Sequence, residues 1–176
     1  MKEVIITMLI GYRGRNPSID PKAWIAPGAK VIGDVTLGSN STIWYNAVVR
    51  SDYNSIRIGE NSNIQDNCVV HETPENPVII GDHVSVGHGA ILHGCEIENG
   101  VLIGMGAIVL DGAKIGAGSI IAAGALVKEN MVVPDQSLII GRPGKVVKLI
   151  SNETALELKT ILAVSYSNLW KEEEVQ

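Results

Sequence analysis

Three of the four histidines in this chain of 176 residues, His71, His88 and His93, lie close together in sequence. Neutral imidazole is a preferred ligand of zinc and similar divalent ions, and three such nitrogens leave a fourth coordination position open for water. That is the donor set of a catalytic ion rather than a purely structural one. Whether these side chains meet depends on what the chain between them does.

An aliphatic residue recurs every sixth position: Ile25, Val31, Leu37, Ile43 and Val49, then Ile58, Ile64 and Val70, then Ile80, Val86 and Leu92. After one residue is dropped the series continues through Ile97, Ile103, Val109, Ile115, Ile121 and Val127. Neither the helical period of 3.6 nor simple alternation generates such a register. A six-residue unit is a short strand and a turn, and one unit cannot bury its own apolar residue. The units must therefore wind into stacked coils, three to a coil, making a three-sided prism filled by the aliphatic series.

Two interruptions are read as loops, Ser51 to Arg57 and Glu72 to Val78, the second containing Pro74 and Pro77. The prism is expected over residues 1–150, with Met1 to Ile10 as a first strand. From Ser151 the pattern changes: Ser151 or Asn152 suits an N-cap, Glu153 the first turn, and Leu158, Ile161, Leu162 and Leu169 follow at helical spacing. One amphipathic helix over 151–176 is expected to pack on the same domain.

Stacked coils place every third unit on the same face, about 4.8 Å above the last. The residues just after Val49, Val70 and Leu92 are Arg50, His71 and His93, which form one column. The second residues after Ile43, Ile64, Val86 and Ile103 are Tyr45, Asp66, His88 and Met105, which form another. His71 and His93 are thus stacked neighbours able to share an ion at about 2.0–2.1 Å. His88 lies around a corner, so a neighbouring subunit must bring its own copy. Three chains about a threefold axis satisfy this with three equal sites. His83 falls outside both columns and is read as a solvated turn residue.

Composition limits the alternatives. Hydrophobic residues make up 45%, Phe is absent, 19 glycines are scattered, and the formal charge is −5. The absence of a basic run argues against nucleic acid as a partner. No segment is long enough to span a membrane. Glu3 interrupts the early apolar run, and no small-residue cleavage site follows. Cys68 and Cys95 form no paired motif and are read as buried free thiols, consistent with a reducing cytoplasm.

The sequence Arg50-Ser51-Asp52, Gln65-Asp66, His71, His88 and His93-Gly94 resembles the γ-class carbonic anhydrases, and the resemblance covers essentially the whole chain. It implies a left-handed parallel β-helix of hexapeptide repeats with a C-terminal α-helix. It also implies a homotrimer in which His71 and His93 of one subunit and His88 of the next hold Zn²⁺, or Fe²⁺ under anaerobic conditions. The expected activity is the reversible hydration of carbon dioxide to bicarbonate.

By the same resemblance, Arg50 and Asp52 pair near the site and place bicarbonate, Gln65 hydrogen-bonds the hydroxide on the metal, and Tyr166 lies near the ion. Asp66 would orient His88 or pair with Arg50. The chain departs from the most active branch in having Tyr53 where a glutamate follows Asp52, and in having a short loop after His71. Glu72 and Glu75 are then the candidate proton shuttles, and slow hydration is expected.

Two other functions fit parts of the sequence. Many hexapeptide-repeat proteins are acyltransferases that use acyl-coenzyme A and one histidine base, and Gly141-Arg142-Pro143-Gly144-Lys145 resembles their exit segment. That segment is equally a chain exit from the last coil. A non-catalytic, metal-stapled trimer is the other alternative.

Overall fold

The structure is a computed structural model that describes residues 8–157 and 164–173. Short parallel strands wind into a β-solenoid of about seven turns. Val31, Val49, Val70, Leu92, Val109 and Val127 stack on a first face, and Leu37, Ile58, Ile80, Ile97, Ile115 and Val133 on a second. Ile25, Ile43, Ile64, Val86, Ile103, Ile121 and Ile139 make the third. The strands Lys30–Leu37 and Val48–Ile58 run around the corner between the first two faces and join them into one twelve-stranded sheet.

Every member of the six-residue series is buried except Ile25, which packs half-buried on the core near the N-terminal end. The series continues beyond Val127 through Val133 and Ile139, both buried. Each of these side chains turns inward because the turns reset the strand direction every six residues. The stack then removes about 1.5–3 kcal/mol worth of apolar surface from water per aliphatic residue. Cys68 and Cys95 are buried free thiols within this core. Burial pushes their pKa values up to about 11 and about 12, respectively, which makes both poor nucleophiles.

The corner between the third and first faces is built from repeated four-residue turns, including Gln65–Cys68 and Gly87–Ala90. In each, the third residue adopts positive φ, which Asn67 and Gly89 tolerate. This corner presents the second residue of each turn outward. The first face then leads from it, through a single short strand, to the next corner.

Two expectations about loops need correction. Ser51 to Arg57 is not a free loop: Ser51 pairs with Gly33, and pairing resumes with Ile56 opposite Val35 and Arg57 opposite Thr36. Only Asp52–Ser55 bulge out, opposite the single residue Asp34. The second interruption is real but shorter, because Val78 already belongs to the strand Val78–Ile80.

After Ile139 the chain reverses through Gly141–Gly144 into an antiparallel strand, Lys145–Leu149, which the six-residue pattern does not show. Helical structure follows in two described segments, α1 (Asn152–Glu157) and α2 (Val164–Glu173). Ser151 is the N-cap of α1, its Oγ accepting from the Thr154 N–H at 3.2 Å. Leu158, Ile161 and Leu162, assigned to the apolar stripe, lie outside the described residues. Leu169 is exposed.

What docks α2 is aromatic instead. Trp170 stacks on Trp24 with centroids 6.0 Å apart, and Tyr166 meets Trp44 edge-on at 5.5 Å. The strand expected over Met1 to Ile10 is described only at Leu9–Ile10, the first seven residues lying outside the described range. Among the described residues no helix is long and apolar enough to cross a membrane.

Candidate metal centre

Backbone pairing places Arg50 opposite His71 and His71 opposite His93, so the first column exists as a ladder of three consecutive coils. The Nδ1 of His71 and the Nε2 of His93 are 3.1 Å apart. Two nitrogens bound to one tetrahedral zinc ion would be about 3.3–3.4 Å apart, given bonds of about 2.0–2.1 Å. The other nitrogen of each ring faces a carboxylate. His71 Nε2 lies 3.2 Å from Asp52 Oδ2, and His93 Nδ1 lies 2.5 Å from Asp111 Oδ1.

Those carboxylates accept hydrogen bonds, so they favour the tautomers with protons on the outer nitrogens. The two inner nitrogens are then both lone-pair acceptors facing each other. A cation between them relieves the repulsion, which is how the donor set fits a divalent metal. The pKa of His71 is held below its ordinary value, first by burial, then by the Arg50 guanidinium and by His93. This keeps it neutral, as a ligand must be.

His88 completes the pattern elsewhere. The column Tyr45, Asp66, His88 and Met105 is tied by backbone bonds from Asn67 N to Tyr45 O, Gly89 N to Asp66 O and Gly106 N to His88 O. His88 Nδ1 lies 2.7 Å from Asp66 Oδ2, which directs Nε2 to the opposite side of the ring. Of the two partners considered for Asp66, the structure gives it His88, while Arg50 pairs with Asp52.

His88 occupies the corner at one edge of the first face, and His93 the far end of the next strand. The rest of the turn, Gly89 and Ala90, and the strand Ile91–His93 put the two rings at opposite ends of the first face. Accordingly, among the described residues of one chain, no group of three or more His, Cys, Asp or Glu side chains converges as a metal site.

The remaining candidates surround His88. Gln65 is nearly buried, and its Nε2 donates to Asn63 Oδ1 at 3.1 Å, while Asn63 Nδ2 donates to Ser85 Oγ at 2.9 Å. These bonds hold the Nε2 end of the Gln65 amide against Asn63. Gln65, His88, Met105 and Tyr166 line a mainly apolar cleft of about 350 Å³ between the third face and α2. Burial, and secondarily the Asp66 charge, raises the Tyr166 pKa, so its phenol stays protonated. His83 stays apart from these groups in its turn, at positive φ.

The two shuttle candidates separate. Glu72 is fully buried, and its Oε1 accepts from the Asp52 and Tyr53 amides at 2.6 and 2.8 Å. It is a fixed internal group rather than a mobile carboxylate. Glu75 is exposed on the Glu72–Pro77 loop.

Sequence reasoning missed Asp111. The same column arithmetic would have found it: the second residues after Val49, Val70, Leu92 and Val109 are Ser51, Glu72, Gly94 and Asp111. A Cβ on Gly94 would come within 2.7 Å of Asp111 Oδ1. The missing side chain in one coil is therefore the space through which the carboxylate of the next coil reaches His93.

Winding, corner turns and interior register define a hexapeptide-repeat protein, and the family model described as bacterial transferase hexapeptide (six repeats) matches residues 16–51 and 94–129. Whole-chain relatives are more specific. The protein named "Probable carbonic anhydrase" in Methanocaldococcus jannaschii is 57% identical over 137 residues, 78% of this chain and 84% of that one. Gamma carbonic anhydrase 1, mitochondrial, of Arabidopsis thaliana is 42% identical over 92% of this chain, which spans 60% of the plant protein's length.

A crystal structure of a hexapeptide transferase family protein from Anaplasma phagocytophilum superposes with a TM-score of 0.89 at 41% identity. It covers 94% of this chain and 97% of its own. The chain belongs to the γ-class carbonic anhydrase family.

Proposed function

We propose that this protein hydrates carbon dioxide reversibly to bicarbonate with a divalent ion, zinc or ferrous iron, at each subunit interface of a homotrimer. His71 and His93 of one subunit and His88 of the next would hold it. The observation that carries this reading is the pair of inward nitrogens on His71 and His93, 3.1 Å apart, with both outward nitrogens on carboxylates. A second supports the shared site. The outward positions Val48, Val69 and Ile91 of the first face make an apolar strip beside the histidines, with Val69 40% and Ile91 37% exposed in the single chain. Such a strip suits burial against another subunit.

His71, His93 and His88 of the next subunit, as neutral imidazoles, would hold the ion, which when bound would supply a water acidified to a pKa of about 7 as the nucleophile at neutral pH. Asp52, Asp66 and Asp111 fix the three rings and raise their basicity as ligands. Arg50, paired with Asp52, offers positive charge to bicarbonate. Gln65 offers its amide, and Tyr166 its hydroxyl, to the cleft beside His88. Proton export falls to Glu75, and one exposed loop carboxylate without an acidic partner at position 53 implies a slow rate.

The test is anaerobic metal analysis joined to stopped-flow carbon dioxide hydration, comparing wild type with His88→Ala. Loss of both metal and hydration is expected. Retention of full metal by His88→Ala contradicts the shared site.

The His88–Asp66 pair beside an apolar cleft favours one further reading, an acyl transfer with His88 as base. Binding of acetyl-coenzyme A to metal-free protein would support that reading over hydration.

A further inference from the structure

The excursion Asp52–Ser55 forfeits its ladder bonds, so its backbone must find other partners. Ser51 Oγ donates to the Asn54 carbonyl at 2.7 Å, Asn54 Nδ2 donates to the Pro74 carbonyl at 3.1 Å, and Arg15 Nη1 donates to the Tyr53 and Asn54 carbonyls at 3.0 and 3.2 Å. These contacts hold the tip. At the root, where the chain leaves the sheet, both the Asp52 and Tyr53 N–H groups donate to one oxygen of Glu72.

Glu72 is 0% exposed, and its other oxygen, Oε2, is buried with no hydrogen-bond partner among the described residues. A buried carboxylate is costly when half-satisfied. A neutral acceptor would serve two amides with less desolvation. What the carboxylate adds is the shortness and stiffness of charge-assisted bonds, and 2.6 and 2.8 Å are distances of that kind. The residue stiffened is Asp52, whose Oδ2 lies 3.2 Å from His71 Nε2 and which also pairs with Arg50.

We infer that Glu72 is a positioning residue: it clamps the backbone at the root of the excursion and so holds the Asp52 carboxylate where it orients His71. Glu72 makes no hydrogen bond to His71's ring nitrogens and does not line the cleft, but its charge does act on His71 directly, so the positioning effect is the part that the Asp52→Asn background removes. The inference rests on the metal reading only for its zinc readout.

The test pairs two measurements on the full-length protein. In metal-free protein, hydrogen exchange at the Asp52 and Tyr53 amides is expected to be protected in wild type and at least about tenfold faster in Glu72→Gln. In a double-mutant cycle, Glu72→Gln is expected to weaken zinc binding about tenfold in the wild-type background and less than about twofold in Asp52→Asn. Glu72→Asp, which withdraws the oxygens by one methylene, is a second variant expected to show the same pattern.

Unprotected wild-type amides, or equal zinc losses in both backgrounds, would overturn the clamp. Wild type that takes up no zinc while the exchange pattern holds would instead sink the metal reading and leave the clamp standing.

Discussion

The two corners that flank the second and first faces use the same position of the six-residue unit for opposite ends. After the inward aliphatic residue, the second face carries Gly38, Gly59, Gly81 and Gly116 in successive coils, broken by Glu98. The first face carries Arg50, His71 and His93. A Cβ at Gly59 would lie 2.3 Å from Asp82 Oδ1 and 2.6 Å from the Gly81 backbone, and one at Gly81 would lie 2.3 Å from Asn99 Oδ1. There the coils are sealed by acidic and amide side chains capping the next backbone: Asp82 Oδ1 accepts from Glu60 N, and Asn99 Oδ1 from Asp82 N, both at 2.8 Å.

On the first face the same position opens outward, and the carboxylates Asp52 and Asp111 cap imidazoles rather than backbone. One corner is closed packing and the other carries the ring nitrogens. The lesson is that the repeat sets where a residue points, while the neighbour one coil away sets whether it can do chemistry.

The sharpest way to break the contrast is at the sealed corner. Gly59→Ala is expected to cost about 1–3 kcal/mol of stability, because the clash involves backbone that cannot yield cheaply. Denaturant unfolding would read this, and metal affinity of the folded protein should not change. At the reactive corner the converse is expected: Asp111→Asn should weaken zinc binding about tenfold with little change in unfolding midpoint, measured by competition with a chelator.

The smallest effect is that of pH on the metal-free protein. The folded pKa of His71 lies below its ordinary 6.5, so the unfolded chain takes up this proton first as pH falls. The contribution to stability is therefore full above about 6.5 and is lost as pH drops through the lower folded value. Thermal unfolding of wild type against His71→Gln should show a shallower pH slope in the variant.

The fold and most of the site were legible because both follow from counting in sixes. The interior series, the column Arg50–His71–His93 and the stacking of Asp66 beneath His88 need only a register. What was not legible depends on how far an excursion travels before pairing resumes. The four residues Asp52–Ser55 leave the sheet, yet Arg57 rejoins it, and nothing in their types distinguishes that from a longer loop. Glu72 reads as a surface glutamate in a proline-flanked loop, and only the position of the Asp52 and Tyr53 amides makes it internal. Asp111 lies one coil beyond the last histidine and was readable from the column above Gly94. The α2 contact was hidden because its docking residues are the aromatics Tyr166 and Trp170 rather than the leucines.

The central claim is that one site draws its histidines from two subunits, and subunit complementation tests it most directly. His88→Ala and His93→Ala are each expected to bind no zinc alone. Mixed and reassembled in equal amounts as trimers, they should regain about a quarter of wild-type zinc, because an interface is complete only when the first chain keeps His71 and His93 and the next keeps His88. Recovery of no zinc on reassembly into trimers would contradict the shared site.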